Sequence, residues 1–125
     1  MDKKNLMERG PNGIEAKTKK YARKLGCYVR KFNSESNPGV PDDVFITPSG
    51  VVFFIEFKSS GKKPTHKQEY NLNEILDRKG FAFVCDNLYE PGVDLWQKDF
   101  HHQLEIWHDG YVLVDKMLKV NLFSV

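Results

Sequence analysis

Two apolar runs on either side of a four-residue turn constrain this chain more than any other feature. The first run is Val44-Phe45-Ile46, the second is Val51-Val52-Phe53-Phe54-Ile55-Glu56-Phe57-Lys58, and Thr47-Pro48-Ser49-Gly50 lies between them. Proline, serine and glycine interrupt strands and favour turns. The pattern therefore predicts an antiparallel β-hairpin.

Two carboxylates and an ammonium are expected to meet at one end of this hairpin. Asp42 stands at the head of the first strand, and Glu56 and Lys58 lie near the end of the second. Because side chains alternate between the faces of a strand, Glu56 and Lys58 point to the same side, and the intervening apolar side chains point into the opposite layer. Two oxygen ligands from separate strands are suited to Mg²⁺ or Mn²⁺, and a lysine beside them can orient an attacking water. The arrangement indicates hydrolysis of a phosphodiester bond.

Each of these residues also has an ordinary interpretation. Glu56 and Lys58 have the spacing of an ion pair on an exposed strand, and Asp42 follows Pro41 as a turn-forming aspartate does. The ordered set of motifs favours the catalytic interpretation over these separate ones.

The ordered motifs are Gly39-Val40-Pro41-Asp42, Ile55-Glu56-Phe57-Lys58, Gly61-Lys62-Lys63-Pro64-Thr65 and Gln68. In this order they resemble the PD-(D/E)XK nuclease superfamily, and more narrowly the virus-type replication-repair nuclease (VRR-NUC) family. The resemblance covers about residues 12–88. It implies a metal-dependent endonuclease that acts on DNA with Mg²⁺ or Mn²⁺ as its cofactor.

The resemblance also implies roles for individual residues. Asp42 and Glu56 are the expected metal ligands, with the backbone carbonyl of Phe57 as a third, and Lys58 is expected to orient the attacking water. A glutamate of the first helix often reaches the metal in such nucleases, directly or through water, which would be the role of Glu15.

Glu15 and Gln68 each have an alternative role. A glutamate in the first turn of a helix is also favoured by the helix dipole. Gln68 forms a capping box with Thr65, yet it falls on the buried stripe of its helix and so is able to face the site. One side chain does not easily perform both tasks, so the two alternatives for Gln68 stay open.

The remaining periodicities predict a restriction-endonuclease-like αβββαβ core, with a mixed four-stranded sheet flanked by helices. A helix should begin at Asn12 and end at Gly26, and a second should run from the Thr65 cap to Gly80. Cys27 to Phe32 is the predicted first strand, and the continuous apolar run from Phe81 to Cys85 is a buried strand parallel to the second strand of the hairpin.

Residues 89–125 form a predicted helical and strand extension of a single nuclease domain. A third helix is predicted from Val93 to His108 and a strand from Tyr111 to Val114. The extension carries many apolar side chains beyond a core already covered by two helices, which predicts a homodimer with two-fold symmetry. Stand-alone members of the family that the chain resembles cut branched DNA such as four-way junctions, so the same selectivity is expected. The alternative is that the extension packs over its own sheet.

Positive charge is concentrated near the N-terminus. Residues 1–31 contain ten basic and three acidic side chains, although the whole chain carries a net charge of only +2. A concentrated basic face formed by this segment would suit binding to a phosphate backbone. The alternative is an ordinary helix face that is only solvated. The predicted DNA-binding residues are Lys17, Lys20, Lys24, Lys62 and Lys63. For the last two, the alternative is an ordinary strand-to-helix loop.

Composition indicates a globular protein with 40% apolar and 29% charged residues, no membrane-spanning run and no secretory signal. We therefore expect a cytoplasmic protein of a bacterial or phage-infected cell, with no membrane partner and with Cys27 and Cys85 reduced. Two rival functions stay open: a nucleic-acid-binding module without catalysis, and a metal-dependent ribonuclease.

Overall fold

A computed structural model describes residues 6–32, 36–88, 104 and 106–121. Helices and strands follow one another in chain order as α1 (Ile14–Lys24), β1 (Tyr28–Lys31), β2 (Asp43–Ile46), β3 (Val52–Phe57), α2 (His66–Asp77), β4 (Phe81–Cys85), β5 (Ile106–Trp107) and α3 (Gly110–Leu118).

The strands form one mixed sheet in the order β1-β2-β3-β4-β5. β1, β2 and β3 pair antiparallel, whereas β4 runs parallel to β3 and β5 runs parallel to β4. The predicted αβββαβ arrangement is therefore confirmed, and β5 adds a fifth strand to the four predicted ones.

The predicted hairpin is formed by β2 and β3. Val44 faces Phe54 and Phe45 faces Phe53 across the pair. The backbone N–H of Gly50 donates to the carbonyl of Thr47 over 2.9 Å, and Gly50 has a φ of 93° that suits glycine. The turn thus fixes the register that brings the far ends of β2 and β3 together.

Two apolar layers cover the two faces of the sheet. The larger contains α1, α3 and the side chains of β3 at Phe53, Ile55 and Phe57. The smaller contains α2, with Leu72 and Leu76 against β4. Glu56 alternates away from the larger layer, so it lies on the α2 side as its position in the strand predicts.

The predicted helix from Val93 to His108 is wrong at its end, because Ile106–Trp107 is a strand that pairs with β4. Most of that predicted helix lies outside the described residues. Trp107 is buried against Phe83, with ring centroids 6.1 Å apart. Residues Ile106 and Trp107 pair with the edge of β4 opposite β3, and β4 is an apolar strand. Helical periodicity is counted along the sequence alone and does not include such pairing with a distant strand.

The predicted strand from Tyr111 to Val114 is wrong, since these residues belong to α3. Asp109 caps the helix: its carboxylate accepts from the backbone N–H groups of Tyr111 at 2.9 Å and Val112 at 3.2 Å. Leu113 and Met117 are fully buried on the same helix face. The cap and this packing outweigh the strand preference of the sequence Tyr-Val-Leu-Val.

Cys27 and Cys85 are free and buried, as predicted. In the ranges that the structure describes, no helix combines the length and apolar character needed to cross a lipid bilayer.

Helices α1 and α3 pack at unusually close range where Gly110 meets Thr18. A Cβ atom added at Gly110 would lie 2.1 Å from the Thr18 Oγ1 atom, and Thr18 is fully buried. Gly110→Ala is therefore expected to lower the free energy of unfolding by about 1–3 kcal/mol, measured by urea denaturation. The double variant Thr18→Ala/Gly110→Ala should recover part of this loss. Unchanged stability of Gly110→Ala would show that the two helices do not meet at this pair.

Candidate active site

Asp42 is held at the open end of the hairpin by the neighbouring strand. Its Oδ2 atom accepts a hydrogen bond from the backbone N–H of Phe57 over 2.7 Å. The last paired residues are Asp43 and Ile55, so Asp42 stands opposite Glu56 one position further on. The two carboxylates that the sequence predicts as partners are thus brought together.

Glu56 is only 2% exposed, and it is surrounded by acidic charge. Burial raises the pKa of Glu56 to about 8, the neighbouring Asp42 adds to this rise, and the charge of Lys58 opposes it. Burial raises the pKa of Asp42 as well. A buried pair of carboxylates is costly unless a cation lies beside it.

The donor set at this end of the hairpin fits a hard divalent cation such as Mg²⁺. Two carboxylates provide charged oxygen ligands and leave further positions for water and substrate oxygens. Within the described ranges, no group of three or more His, Cys, Asp or Glu side chains is gathered around one point. An ion at this site would therefore depend mainly on Asp42 and Glu56.

Gln68 links helix α2 to the buried glutamate. Its Oε1 atom accepts from the backbone N–H of Thr65 at 2.9 Å, while its Nε2 atom donates to the Oε2 atom of Glu56 at 3.1 Å. The backbone N–H of Gln68 in turn donates to the Thr65 hydroxyl at 3.2 Å. Gln68 therefore forms the capping box and also faces the site. Its amide oxygen makes the first contact and its amide nitrogen makes the second.

Lys58 follows β3 directly and is half-buried beside Glu56. Its backbone N–H donates to the carbonyl of Cys85 over 2.9 Å, which extends the parallel pairing of β3 and β4 to this residue. The ammonium lowers the pKa of Glu56 by its charge. Lys58 therefore lies close enough to act electrostatically on the carboxylate pair.

Glu15 takes part in a second charged network, on the α1 side of the sheet. Its Oε2 atom accepts from Lys31 Nζ at 2.7 Å and lies 3.8 Å from Lys19 Nζ. Burial alone would raise the pKa of Glu15, but the neighbouring Asp43 carboxyl, the hydrogen bond from Lys31 and the charges of Lys31 and Lys19 keep it below its usual value. The charge of Glu15 reaches Asp42, whose pKa it helps to raise.

Asp43 faces α1, in contrast to Asp42. It is fully buried, and its Oδ1 atom lies 3.1 Å from Lys19 Nζ. Burial, followed by the nearby Glu15 carboxylate, raises the pKa of Asp43 to about 7. Asp43 thus shares Lys19 with Glu15 and is turned away from the Glu56 carboxylate.

Comparison with solved structures gives a match described as "VRR_NUC domain". The match has a TM-score of 0.53 and 23% sequence identity, and it covers 89% of this chain and 98% of the other. This chain has the VRR_NUC fold. The family resemblance predicted from the motifs is therefore confirmed at the level of the fold.

No protein-family model matches the chain. A phage protein named "Putative nuclease p44", from Acyrthosiphon pisum secondary endosymbiont phage 1, is 39% identical over 63 residues, which is 50% of this chain. The matched part spans 64% of the length of that phage protein.

An N-terminal segment lies beside the site in this VRR_NUC fold, and the sequence did not predict its position. The N–H of Leu6 donates to the Ser60 hydroxyl at 2.6 Å, and the N–H of Glu8 donates to the Ser59 hydroxyl at 3.2 Å. The charge of Glu8 helps to raise the pKa of Glu56. This segment is thus docked at residues 6–8, and residues 1–5 lie outside the described part.

The loop after Lys58 is also fixed from the side of β4. The N–H of Gly61 donates to the Asp86 Oδ2 atom over 3.1 Å, and the Asp86 Oδ1 atom lies 2.5 Å from His108 Nδ1. Asp86 follows a buried strand on the edge where Glu56 lies, a position that could have identified it from the sequence. Asp86 and the N-terminal segment therefore support the loop from two directions.

The predicted DNA-binding lysines lie in two exposed places on the VRR_NUC fold. Lys17, Lys20 and Lys24 line one side of α1, and Lys62 and Lys63 lie in the loop between β3 and α2. The loop lysines follow the candidate catalytic lysine by four and five positions. The α1 lysines begin two positions after Glu15, so both groups are close in sequence to a candidate site residue.

Proposed function

We propose that this protein is a metal-dependent endonuclease that hydrolyses phosphodiester bonds in DNA. The observation that carries the proposal is the buried pair of Asp42 and Glu56 with Lys58 beside it, at one end of a strand pair. The VRR_NUC fold and the name of the phage relative support a nuclease. The whole chain is proposed to form one such domain, with residues 89–125 as its extension.

The metal would be held by Asp42, Glu56 and the backbone carbonyl of Phe57, with Glu15 reaching it through water. Bound Mg²⁺ or Mn²⁺ supplies Lewis-acid chemistry, since its charge activates water and stabilises negative charge on phosphate. The raised pKa of Glu56 is consistent with a site built for a cation, because a positive charge would favour the ionised form of both buried carboxylates.

The protein's own groups orient the reactants. Lys58 is proposed to position the attacking water and to stabilise charge that develops on the phosphate. Gln68 fixes the Glu56 carboxylate, and the Phe57 N–H fixes that of Asp42, so both ligands are oriented before a substrate arrives. Preorganised groups of this kind need little rearrangement during the reaction.

The basic side chains are proposed to bind the DNA backbone. Lys17, Lys20 and Lys24 are exposed on α1, whereas Lys19 is engaged with Asp43. Replacing the three exposed lysines by glutamine should flatten the slope of log affinity against log salt by about two to three units, if each contacts one phosphate. This slope is measured by fluorescence anisotropy with a duplex at salt concentrations from about 50 to about 200 mM.

Lys79→Gln is the matched control for the salt experiment. Lys79 is exposed after α2, at the end of the sheet where β4 begins, and the carboxylate site lies at the end where β3 finishes. Its replacement should leave the slope unchanged. An unchanged slope in the triple variant would mean that the exposed side of α1 is only solvated.

Selectivity for branched DNA and assembly as a homodimer are finer parts of the proposal. The described part of the extension exposes little of the apolar surface that suggested a dimer, because Trp107 and Leu113 are buried within the chain and Tyr111 is half-buried. The other aromatic residues of the extension, Tyr89, Trp96, Phe100 and Phe123, lie outside the described residues. Support for a two-fold partner therefore rests on those residues and on the family resemblance.

The decisive experiment for the proposed function is cleavage of a panel of nucleic acids by the purified protein. The panel contains linear, flapped and four-way junction DNA and a matched RNA, each with Mg²⁺, Mn²⁺ or EDTA. We expect cleavage of DNA with either metal and none with EDTA, and the branched members should be cut fastest. Binding without cleavage in every metal would favour a non-catalytic module, and cleavage of RNA alone would favour a ribonuclease.

A further inference from the structure

A pocket between α1 and α3 lies apart from the carboxylate site. It has a volume of about 260 Å³ and is lined by Lys17, Lys20, Tyr21, Lys24 and Tyr111. Two aromatic rings therefore lie among three lysines. The pocket thus combines the apolar surface of two rings with positive charge around it.

The positive charge of this pocket comes from its three lysines. Lys17, Lys20 and Lys24 are exposed, and no ion pair joins any of them to an acid in the described part of the chain. Lys19, on the other side of the helix, is by contrast engaged with Asp43. The three pocket lysines thus remain able to bind an external anion.

The two tyrosine rings are held in place. Their centroids are 4.9 Å apart with an interplanar angle of 69°, and the Tyr21 hydroxyl donates to the Asp115 Oδ1 atom over 2.6 Å. Burial, with the hydrogen bond to Asp115, raises the pKa of Tyr21 to about 12, so this side chain stays neutral. The hydrogen bond to Asp115 thereby fixes the orientation of the Tyr21 ring.

The pocket lysines lie on the same helix as Glu15, which is proposed to reach the metal through water. Lys17 and Lys24 follow Glu15 by two and nine positions, so their backbone lies about 3 Å and about 14 Å further along the helix axis. A substrate strand that runs along α1 from the end where Glu15 lies would therefore reach the pocket.

We propose that this pocket binds one unpaired nucleotide of the substrate strand, with its base against the tyrosine rings and its flanking phosphates on the lysines. The inference rests on the proposed function and adds a single-stranded segment to the substrate. Lysines alone would serve for a duplex backbone, but a base stacked within a duplex cannot enter a pocket of this kind. Base stacking on aromatic side chains combined with basic residues is the usual way to bind single strands.

Binding of oligonucleotides in EDTA tests this inference without cleavage. Tyr111→Ala is expected to weaken affinity for a thymidine single strand by about 5- to 100-fold, and to leave affinity for a blunt duplex unchanged. The matched control Tyr111→Phe retains the ring and should bind like the wild type. Equal single-strand affinity in all three proteins would overturn the proposal.

A second measurement covers the case in which Tyr111→Ala fails to fold. A single strand containing 2-aminopurine should lose fluorescence when wild-type protein binds it, because the base stacks on a ring. If the strand binds and the label keeps its fluorescence at every position in which it is placed, the proposal is overturned. The proposed function fails differently: DNA would be left uncut in Mg²⁺ and Mn²⁺, whether or not the label is quenched.

Discussion

Asp42→Asn and Glu56→Gln are each expected to slow DNA cleavage by at least about 10²-fold, while DNA binding persists. Each substitution preserves the size of the side chain and removes one charged oxygen ligand from the proposed metal site. The loss of a negative charge near phosphate should also leave DNA affinity at or above that of the wild type. Single-turnover cleavage with Mg²⁺ and anisotropy in EDTA measure the two quantities separately.

Asp77→Asn is the matched control for this pair. Asp77 is an exposed carboxylate at the end of α2, so its replacement also removes one negative charge from the surface. It should cleave DNA at the wild-type rate. Wild-type turnover in Asp42→Asn or Glu56→Gln would instead show that the metal site is elsewhere in the chain.

Lys58→Ala should lower the cleavage rate by about 10²-fold or more with an unchanged melting temperature. The ammonium of Lys58 acts on Glu56 through its charge, and its proposed work is on the attacking water and the transition state. Rapid-quench cleavage and thermal unfolding of the same preparation give the rate and the stability.

Lys67→Ala is a suitable comparison, because Lys67 is an exposed lysine in the first turn of α2. It should retain most of the activity. If Lys58→Ala loses stability in proportion to its activity, the residue supports the fold and does not take part in the chemistry.

The hairpin and its carboxylates were predictable because local rules agree there. A period of two in β3 separates Glu56 from its apolar neighbours, and a glycine with positive φ closes the turn at Gly50. The position of Asp42 follows once the register is set. The capping box at Thr65 is likewise a local signal, and the structure contains it.

The C-terminal part was not predictable in the same way. The sequence from Tyr111 to Val114 has strand preference, yet Asp109 caps it as a helix and Leu113 packs into the core beneath α1. The deciding contacts come from residues about 90 positions away, as between Tyr21 and Asp115. A periodicity count within a short window has no access to such contacts.

The N-terminal segment escaped prediction for a different reason. Leu6 and Glu8 attach to the loop after Lys58 through their backbone N–H groups and two serine hydroxyls. Backbone groups are present at every position of a chain, and serine is common in loops. No residue pattern therefore distinguishes a segment that docks in this way from one that does not.

The double contact of Gln68 joins the first turn of α2 to the orientation of Glu56. Helix ends open locally at a much lower free energy than that of global unfolding. When the cap at Thr65 opens, the donor to the Glu56 Oε2 atom departs with it, since the same amide makes both bonds. We therefore expect fraying of this single helical turn to release the Glu56 carboxylate, so that on warming the site loses its order before the core does.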